Sequence, residues 1–108
     1  PDLKKIRPYP EVSIQELLIE LSNVLLRVDM NESHKIDLEK ISTRERMSKV
    51  LSMLNGENFV PFINLFDLDE GRIGVVVTFL AIMELIKESL VEIVQSESYA
   101  PIYIRAQC

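Results

Sequence analysis

The apolar positions of the chain are most concentrated in one long run in its last third. Only Thr78 and Glu84 interrupt the apolar residues from Ile73 to Ile86. The run is too apolar for a surface helix with one wetted face, and it is shorter than the roughly 20 residues that a membrane span needs. It therefore predicts a central helix that is buried on more than one side.

Helical geometry, at about 100° per residue, divides this central helix into two faces. One face is the predicted core stripe, and the opposite face, centred on Glu84, carries three further apolar side chains that need a cover from this chain or from another protein. The core stripe is Val75, Phe79, Ile82 and Ile86, flanked by Met83 and Leu85, and the outer positions are Ile73, Val77 and Leu80.

Two earlier helices are predicted by their start signals. Ser13 with Glu16, and Ser42 with Glu45, have the spacing of a capping box, in which a serine hydroxyl and a glutamate satisfy free backbone N–H groups. We expect the second helix to stop at residues 55–56, Asn-Gly, because glycine tolerates the left-handed cap conformation.

The first of these helices is apolar on more than one face. Its main stripe runs from Ile14 to Val28, and Ile19 and Leu26, one heptad apart, lie off that stripe. This helix is therefore a candidate cover for the outer face of the central helix. Ile19 and Leu26 could equally serve a homodimer.

The order of elements predicts the fold class. After the helix at Ser42 come a brief strand in ENFVPF, a short helix in INLF, the central helix, and a hairpin of LVEIVQS and PIYIR. A weaker alternation at residues 36–41 permits one more short strand. We predict a mostly α fold with a small β component, a winged helix preceded by an amphipathic helix. The expected divisions are a linker and lead-in helix at 1–41, a winged-helix domain at 42–105, and a tail at 106–108.

The charge and cysteine content of the chain limit the classes of function that it can have. Charged residues make up 27% of the chain and the formal net charge is -5, whereas proteins that bind nucleic acid usually carry a basic field. The single cysteine, Cys108, excludes an intrachain disulfide and suits a reducing cytosol. Because the chain begins at Pro1 and ends directly after a strand, we expect it to be a fragment of a longer protein.

The sequence predicts no catalytic residue, no cofactor and no metal site. His34 is the single histidine and has no cysteine beside it. Asp67, Asp69 and Glu70 could hold a hard cation, but a calcium loop needs further ligands. We interpret these three as a charged helix start, which the helix dipole favours.

A winged-helix fold suggests DNA binding. However, the two surfaces that would contact DNA, the outer face of the long helix and the hairpin, are poor in the side chains that bind base edges. Base edges are read by polar and basic side chains, whereas the outer face here is apolar and the hairpin carries Glu92 and Glu97. These surfaces favour a protein partner. The basic residues near the second helix leave a weak phosphate contact open; they are Lys40, Arg44, Arg46 and Lys49.

Two stretches carry a family resemblance. GVVVTFLAIMELIKESLVEIVQSESYAPIYIR and ISTRERMSKVL resemble the C-terminal winged-helix domain of segregation and condensation protein A, the bacterial kleisin. The resemblance covers about residues 41–105. Ile82 and Met83 stand where the family tends to have leucines, which is a change that conserves volume.

The resemblance implies an interaction role without catalysis. Kleisins bridge the two ATPase heads of a structural-maintenance-of-chromosomes (SMC) dimer, and their C-terminal winged helix docks on one head. Segregation and condensation protein B would bind a region outside this chain, DNA would be contacted at most indirectly, and no membrane is involved. The implied location is cytoplasmic and nucleoid-associated.

The expected partner-binding residues fall on two elements. Ile73, Val77 and Leu80 would dock through the outer face of the long helix. Tyr103, Ile104 and Arg105 would dock through a PIYIR edge that adds to a strand of the partner. The alternative function is a DNA-binding transcriptional regulator of the winged-helix class.

Overall fold

The computed structural model describes residues 12–28, 42–54 and 58–106, which form three α-helices and a three-stranded antiparallel sheet. The predicted class, mostly α with a small β component, is confirmed, and the winged-helix assignment stays a prediction. The elements are α1 (Ile14–Leu26), α2 (Thr43–Met53), β1 (Val60–Pro61), 3-10 helices at Phe62–Leu65 and Leu68–Glu70, α3 (Gly71–Lys87), β2 (Val91–Val94) and β3 (Tyr103–Ala106).

Both predicted helix starts are confirmed by cap geometry. The Ser13 hydroxyl accepts a hydrogen bond from the Glu16 N–H at 3.2 Å, and the Ser42 hydroxyl accepts one from the Glu45 N–H at 3.0 Å. Each serine has extended backbone angles, as an N-cap residue requires. The second helix ends at Met53, and the predicted stop at 55–56 lies outside the described residues.

The core stripe of α3 is where the sequence places it, but burial extends further around the helix. Val75, Phe79 and Ile82 are buried and Ile86 is half-buried. The additional buried positions lie on the side that packs against α2, and they are Gly74, Thr78, Ala81 and Leu85. Helix α3 is thus covered on two sides, and one side stays open.

Helix α1 shares this core. Leu17, Val24 and Val28 are buried in the same hydrophobic cluster as the α3 stripe. The division of the chain into 1–41, 42–105 and 106–108 stays a prediction. Ala106, which the sequence assigned to a tail, is the last residue of β3.

The sheet has the order β1-β3-β2, with β3 in the centre. Ile104 pairs with Val60 on one side and with Ile93 on the other. The predicted alternation along β3 is confirmed, since Ile102 and Ile104 are buried while Tyr103 faces solvent. The sheet therefore buries one face against α3.

Several sequence predictions concern residues outside the described ranges. These are the strand at 36–41, and the roles considered for His34, Lys40 and Cys108.

Candidate docking surface on the long helix and the hairpin

The outer face of α3 is open to solvent. Ile73 is 48% exposed and Leu80 is 51% exposed. Val77, the third predicted position, is half-buried, while Val76, which the sequence did not single out, is 38% exposed. Helix α1 therefore does not cover this face, and an apolar strip of Ile73, Val76 and Leu80 lies along it. We call these three residues the outer strip.

A buried ion pair fixes the N-terminal half of α3 against α2. Arg46 donates from Nη1 to Glu70 Oε1 at 2.7 Å and from Nη2 to Glu70 Oε2 at 2.8 Å. Arg46 Nη1 also donates to the Thr78 hydroxyl at 3.3 Å, and that hydroxyl donates to the Gly74 carbonyl at 2.8 Å. A bidentate guanidinium–carboxylate pair is stronger and more directional than a single contact. The start of α3 is thereby held in one orientation.

Two glycines shape the start of α3, and one of them makes room for this ion pair. Gly71 has a φ of 77°, in the left-handed region that disfavours side chains, and it allows the second 3-10 helix to turn into α3. At Gly74, a Cβ atom would overlap the Cβ of Glu70. The carboxylate of Glu70 reaches Arg46 because this position has no side chain.

Two charged side chains of the hairpin strands form a neutral pair. Arg105 donates to Glu92 Oε1 at 3.0 Å, and its guanidinium lies 4.5 Å from the centre of the Phe59 ring. Tyr103 is partly exposed, whereas Ile104 is fully buried. Of the three hairpin residues expected to bind a partner, Tyr103 and Arg105 reach the surface and Ile104 belongs to the core.

The turn between the hairpin strands is held by Gln95. Its side chain is almost fully buried and donates from Nε2 to the Ala100 carbonyl at 2.9 Å. Tyr99, in the same turn, is 70% exposed and has a φ of 65°. This anchors a turn that presents an exposed aromatic ring.

The two outer edges of the sheet lie on β1 and β2, which corrects the expectation of strand addition along PIYIR at Tyr103 and Ile104. Tyr103 and Ile104 pair with β1 as well as with β2, so their backbone groups face strands on both sides. A partner strand would have to add at the outer edge of β1 or of β2.

The acidic residues before α3 have structural contacts. The Asp67 carboxylate accepts a hydrogen bond from the Asp69 N–H at 3.0 Å, and Glu70 holds Arg46. Within the described ranges, the structure contains no group of three or more side chains arranged to hold a metal ion. The same residues include no helix that is long and apolar enough to cross a membrane.

A comparison with protein families identifies the family to which this chain is related. Residues 7–107 match the profile of the family described as segregation and condensation protein ScpA. The chain belongs to this family.

Relatives named segregation and condensation protein A support the assignment. The chain is 45% identical to one from Coxiella burnetii over 107 residues, which is 99% of this chain and 40% of the relative. It is 47% identical to one from Xylella fastidiosa over 106 residues, covering 98% of this chain and 35% of the relative. One from Listeria welshimeri is 36% identical over 101 residues, covering 90% and 40%. The chain thus spans about two fifths of a typical ScpA relative.

Sequence reasoning missed the ion pair that orients the long helix of this ScpA chain. A signal was present, because Arg46 lies four residues before Val50 and eight before Leu54, and the three form one buried row along α2 and its C-cap. A basic residue in a core row predicts a buried acidic partner. The partner, Glu70, is 24 residues away, so spacing alone could not identify it.

Proposed function

We propose that this chain is a non-enzymatic docking module in chromosome segregation and condensation. In this proposal the outer strip of α3, together with the exposed side of the hairpin, binds the ATPase head of an SMC protein. The observation that carries the proposal is the exposure of Ile73 and Leu80 on a helix whose other sides are packed. Membership of the ScpA family supports it.

The energetics of the outer strip suit a protein interface. Complete burial of an aliphatic side chain contributes about 1.5–3 kcal/mol before the costs of association. Ile73 and Leu80 are about half exposed. Burial of each side chain by a partner would therefore still contribute part of this free energy. Both lie on a regular helix, which reduces the ordering that binding would require.

The orientation of α3 supports the same role. Arg46 and Glu70 hold the first turn of the helix, and the buried stripe holds the rest. An interface on such a preorganised element loses little conformational entropy on docking. We infer that the ion pair serves the interface by keeping the outer strip at a fixed angle.

The charges favour a protein over duplex DNA. Arg46, one of the basic residues considered for phosphate contact, is buried against Glu70, and Arg105 on the hairpin pairs with Glu92. The overall charge of -5 opposes a polyanion. Arg44 and Lys49 remain at the surface of α2. Two basic side chains would supply few contacts for phosphate binding.

The test compares two matched substitutions. Leu80→Glu places a charge on the outer strip, and Leu26→Glu places the same charge on α1, where the side chain is 78% exposed. We expect both variants to stay folded by circular dichroism. Leu80→Glu should lose about 2 kcal/mol or more of affinity for the cognate SMC head in titration calorimetry, and Leu26→Glu should lose little.

Two outcomes would contradict the docking surface. Unfolding of Leu80→Glu would mean that the residue supports the core, and unchanged head binding by the folded variant would mean that the partner uses another face. A gel shift with duplex DNA, made on the same wild-type preparation, tests the alternative of a DNA-binding regulator. DNA retardation without head binding would favour that alternative.

Other partners follow from the same proposal. Segregation and condensation protein B would bind the full-length protein through a region outside this chain, and the complex would act in the cytoplasm at the nucleoid. The proposed place of this chain is the C-terminal domain of the full-length protein. A homodimer through Ile19 and Leu26 stays a prediction, and both side chains are exposed on α1.

A further inference from the structure

A second apolar surface lies beside the outer strip, in a groove between α2 and the C-terminal half of α3. The groove has a volume of about 410 Å³. Its apolar lining comes from Met47 and Leu51 on α2, Leu85 on α3, and Leu90 just before β2. Leu85 is fully buried while Leu90 is 40% exposed, so the groove runs from the core to the surface.

Charged side chains of opposite sign stand on the two walls. Glu84 and Glu88, one helical turn apart, line the α3 wall, and Arg44 lines the α2 wall. Within the described ranges, none of these three makes an ion pair. By contrast, Glu70 and Glu92 are neutralised by arginines. The α3 wall therefore presents two carboxylates that make no ion pair, beside an apolar floor and across the groove from Arg44.

The groove continues the outer strip. Leu80 and Glu84 are separated by one turn on the same side of α3, so the strip leads directly to the acidic wall. From Ile73 to Glu88 the helix rises about 22 Å. One helix or extended segment of a partner could span both surfaces.

We propose that the groove binds an apolar side chain that is flanked by a lysine or arginine on the docking partner. The apolar side chain would lie on the floor formed by Met47, Leu51 and Leu90, and the cation would lie between Glu84 and Glu88. This inference rests on the proposed function, since it supplies a second, charge-selective contact for the same ATPase head. The chain's own charge of -5 favours a basic segment from a partner over a second copy of this chain.

The charge contact is tested by reversing one carboxylate at a time. Glu88→Lys alters the groove, and Glu97→Lys, in the exposed turn of the hairpin, makes the same change in net charge elsewhere. In titrations with the cognate SMC head at low salt, we expect Glu88→Lys to bind about tenfold more weakly and Glu97→Lys to bind like the wild type. The affinity of Glu88→Lys should also fall less with salt, because a repulsive pair, which salt screens, has replaced an attractive one.

The apolar contact has its own pair of variants. Leu90→Gln changes the groove at a side chain that is 40% exposed, and Leu18→Gln changes a leucine on α1 that is 50% exposed. We expect about a tenfold loss of head affinity for Leu90→Gln alone. Circular dichroism melting of each variant establishes that the loss arises in the folded protein.

The outcomes separate this inference from the proposed function. If the wild-type chain does not bind the SMC head, the proposed function and the groove inference are both wrong. If the wild type binds and Leu80→Glu abolishes binding, while Glu88→Lys and Leu90→Gln match their controls, docking stands and the groove inference is wrong. If the groove variants change only self-association in sedimentation experiments, the occupant is a second copy and the inference is also wrong.

Discussion

Arg46 shows how one residue can determine the direction of a whole helix. It occupies a buried row of α2, and its guanidinium reaches a carboxylate, Glu70, and a hydroxyl, Thr78, near the start of α3. Removing one partner of a buried pair leaves the other charge without compensation, and this is more costly than losing an exposed pair. The free energy of unfolding should therefore be sensitive to this residue.

The first prediction compares two arginines of the same helix. Arg46→Met, which keeps most of the side-chain volume, should lower the free energy of unfolding by about 3 kcal/mol, because Glu70 is left with only the more distant Lys49. Arg44→Met, at an exposed position, should change it by about 0.5 kcal/mol or less. Urea denaturation followed by circular dichroism measures both. Equal stabilities would mean that the ion pair is not a stabilising element.

The second prediction concerns the space that Gly74 provides. Alanine normally stabilises a helix by about 1 kcal/mol relative to glycine, but here its Cβ would overlap the Cβ of Glu70. We expect Gly74→Ala to lower the free energy of unfolding by about 1–3 kcal/mol, since the overlap forces a backbone shift. Ser48→Ala, on the exposed side of α2, is the control and should be nearly neutral. A stabilised Gly74→Ala variant would contradict the tight approach.

At the level of elements, the sequence correctly predicted the helix and strand features that depend only on nearby residues. The two serine caps, the long helix, and the alternation of Ile102 and Ile104 all depend on neighbours within a few residues, and all are present. The position of β3 between two strands depends on β1, more than 40 residues earlier in the chain. Spacing within PIYIR carries no information about that pairing, so the sequence could not exclude a free edge there.

The candidate site was predictable to a similar extent. The exposure of Ile73 and Leu80 follows from the wheel position opposite the core stripe. The burial of Thr78 and the half-burial of Val77 depend on the side of α3 that α2 covers, which the pattern of α3 alone does not specify.

The third prediction tests the contribution of α1 to the core. Val24 is fully buried, whereas Leu26, two residues later, is 78% exposed. Val24→Ala should therefore lower the free energy of unfolding by about 2 kcal/mol, and Leu26→Ala should lower it by about 0.5 kcal/mol or less. If Val24→Ala were neutral, α1 would be an appendage, and residues 42–105 would fold independently.

For the whole molecule, the apolar and acidic surface predicts a different salt dependence for binding to an SMC head than for binding to duplex DNA. The fourth prediction is that binding of the SMC head weakens only about tenfold or less between roughly 50 and 200 mM salt, because apolar contacts dominate the outer strip. A protein that neutralises many DNA phosphates loses about a thousandfold or more over that interval. Parallel titrations of the head and of duplex DNA in both buffers measure the difference. A steep loss of head affinity would mean that charge, not the apolar strip, carries the docking.

Pro61 has a consequence for the growth of the sheet by addition of further strands. The Phe62 N–H donates to the Ile102 carbonyl at 2.9 Å, so by the alternation of a strand the N–H of the preceding residue would point away from the sheet. A proline there has no N–H to offer, and β1 is only two residues long. Templated growth of the sheet is therefore blocked on the β1 side. Among the described strands, any cross-β assembly must begin at β2, where Glu92 acts as a gatekeeper.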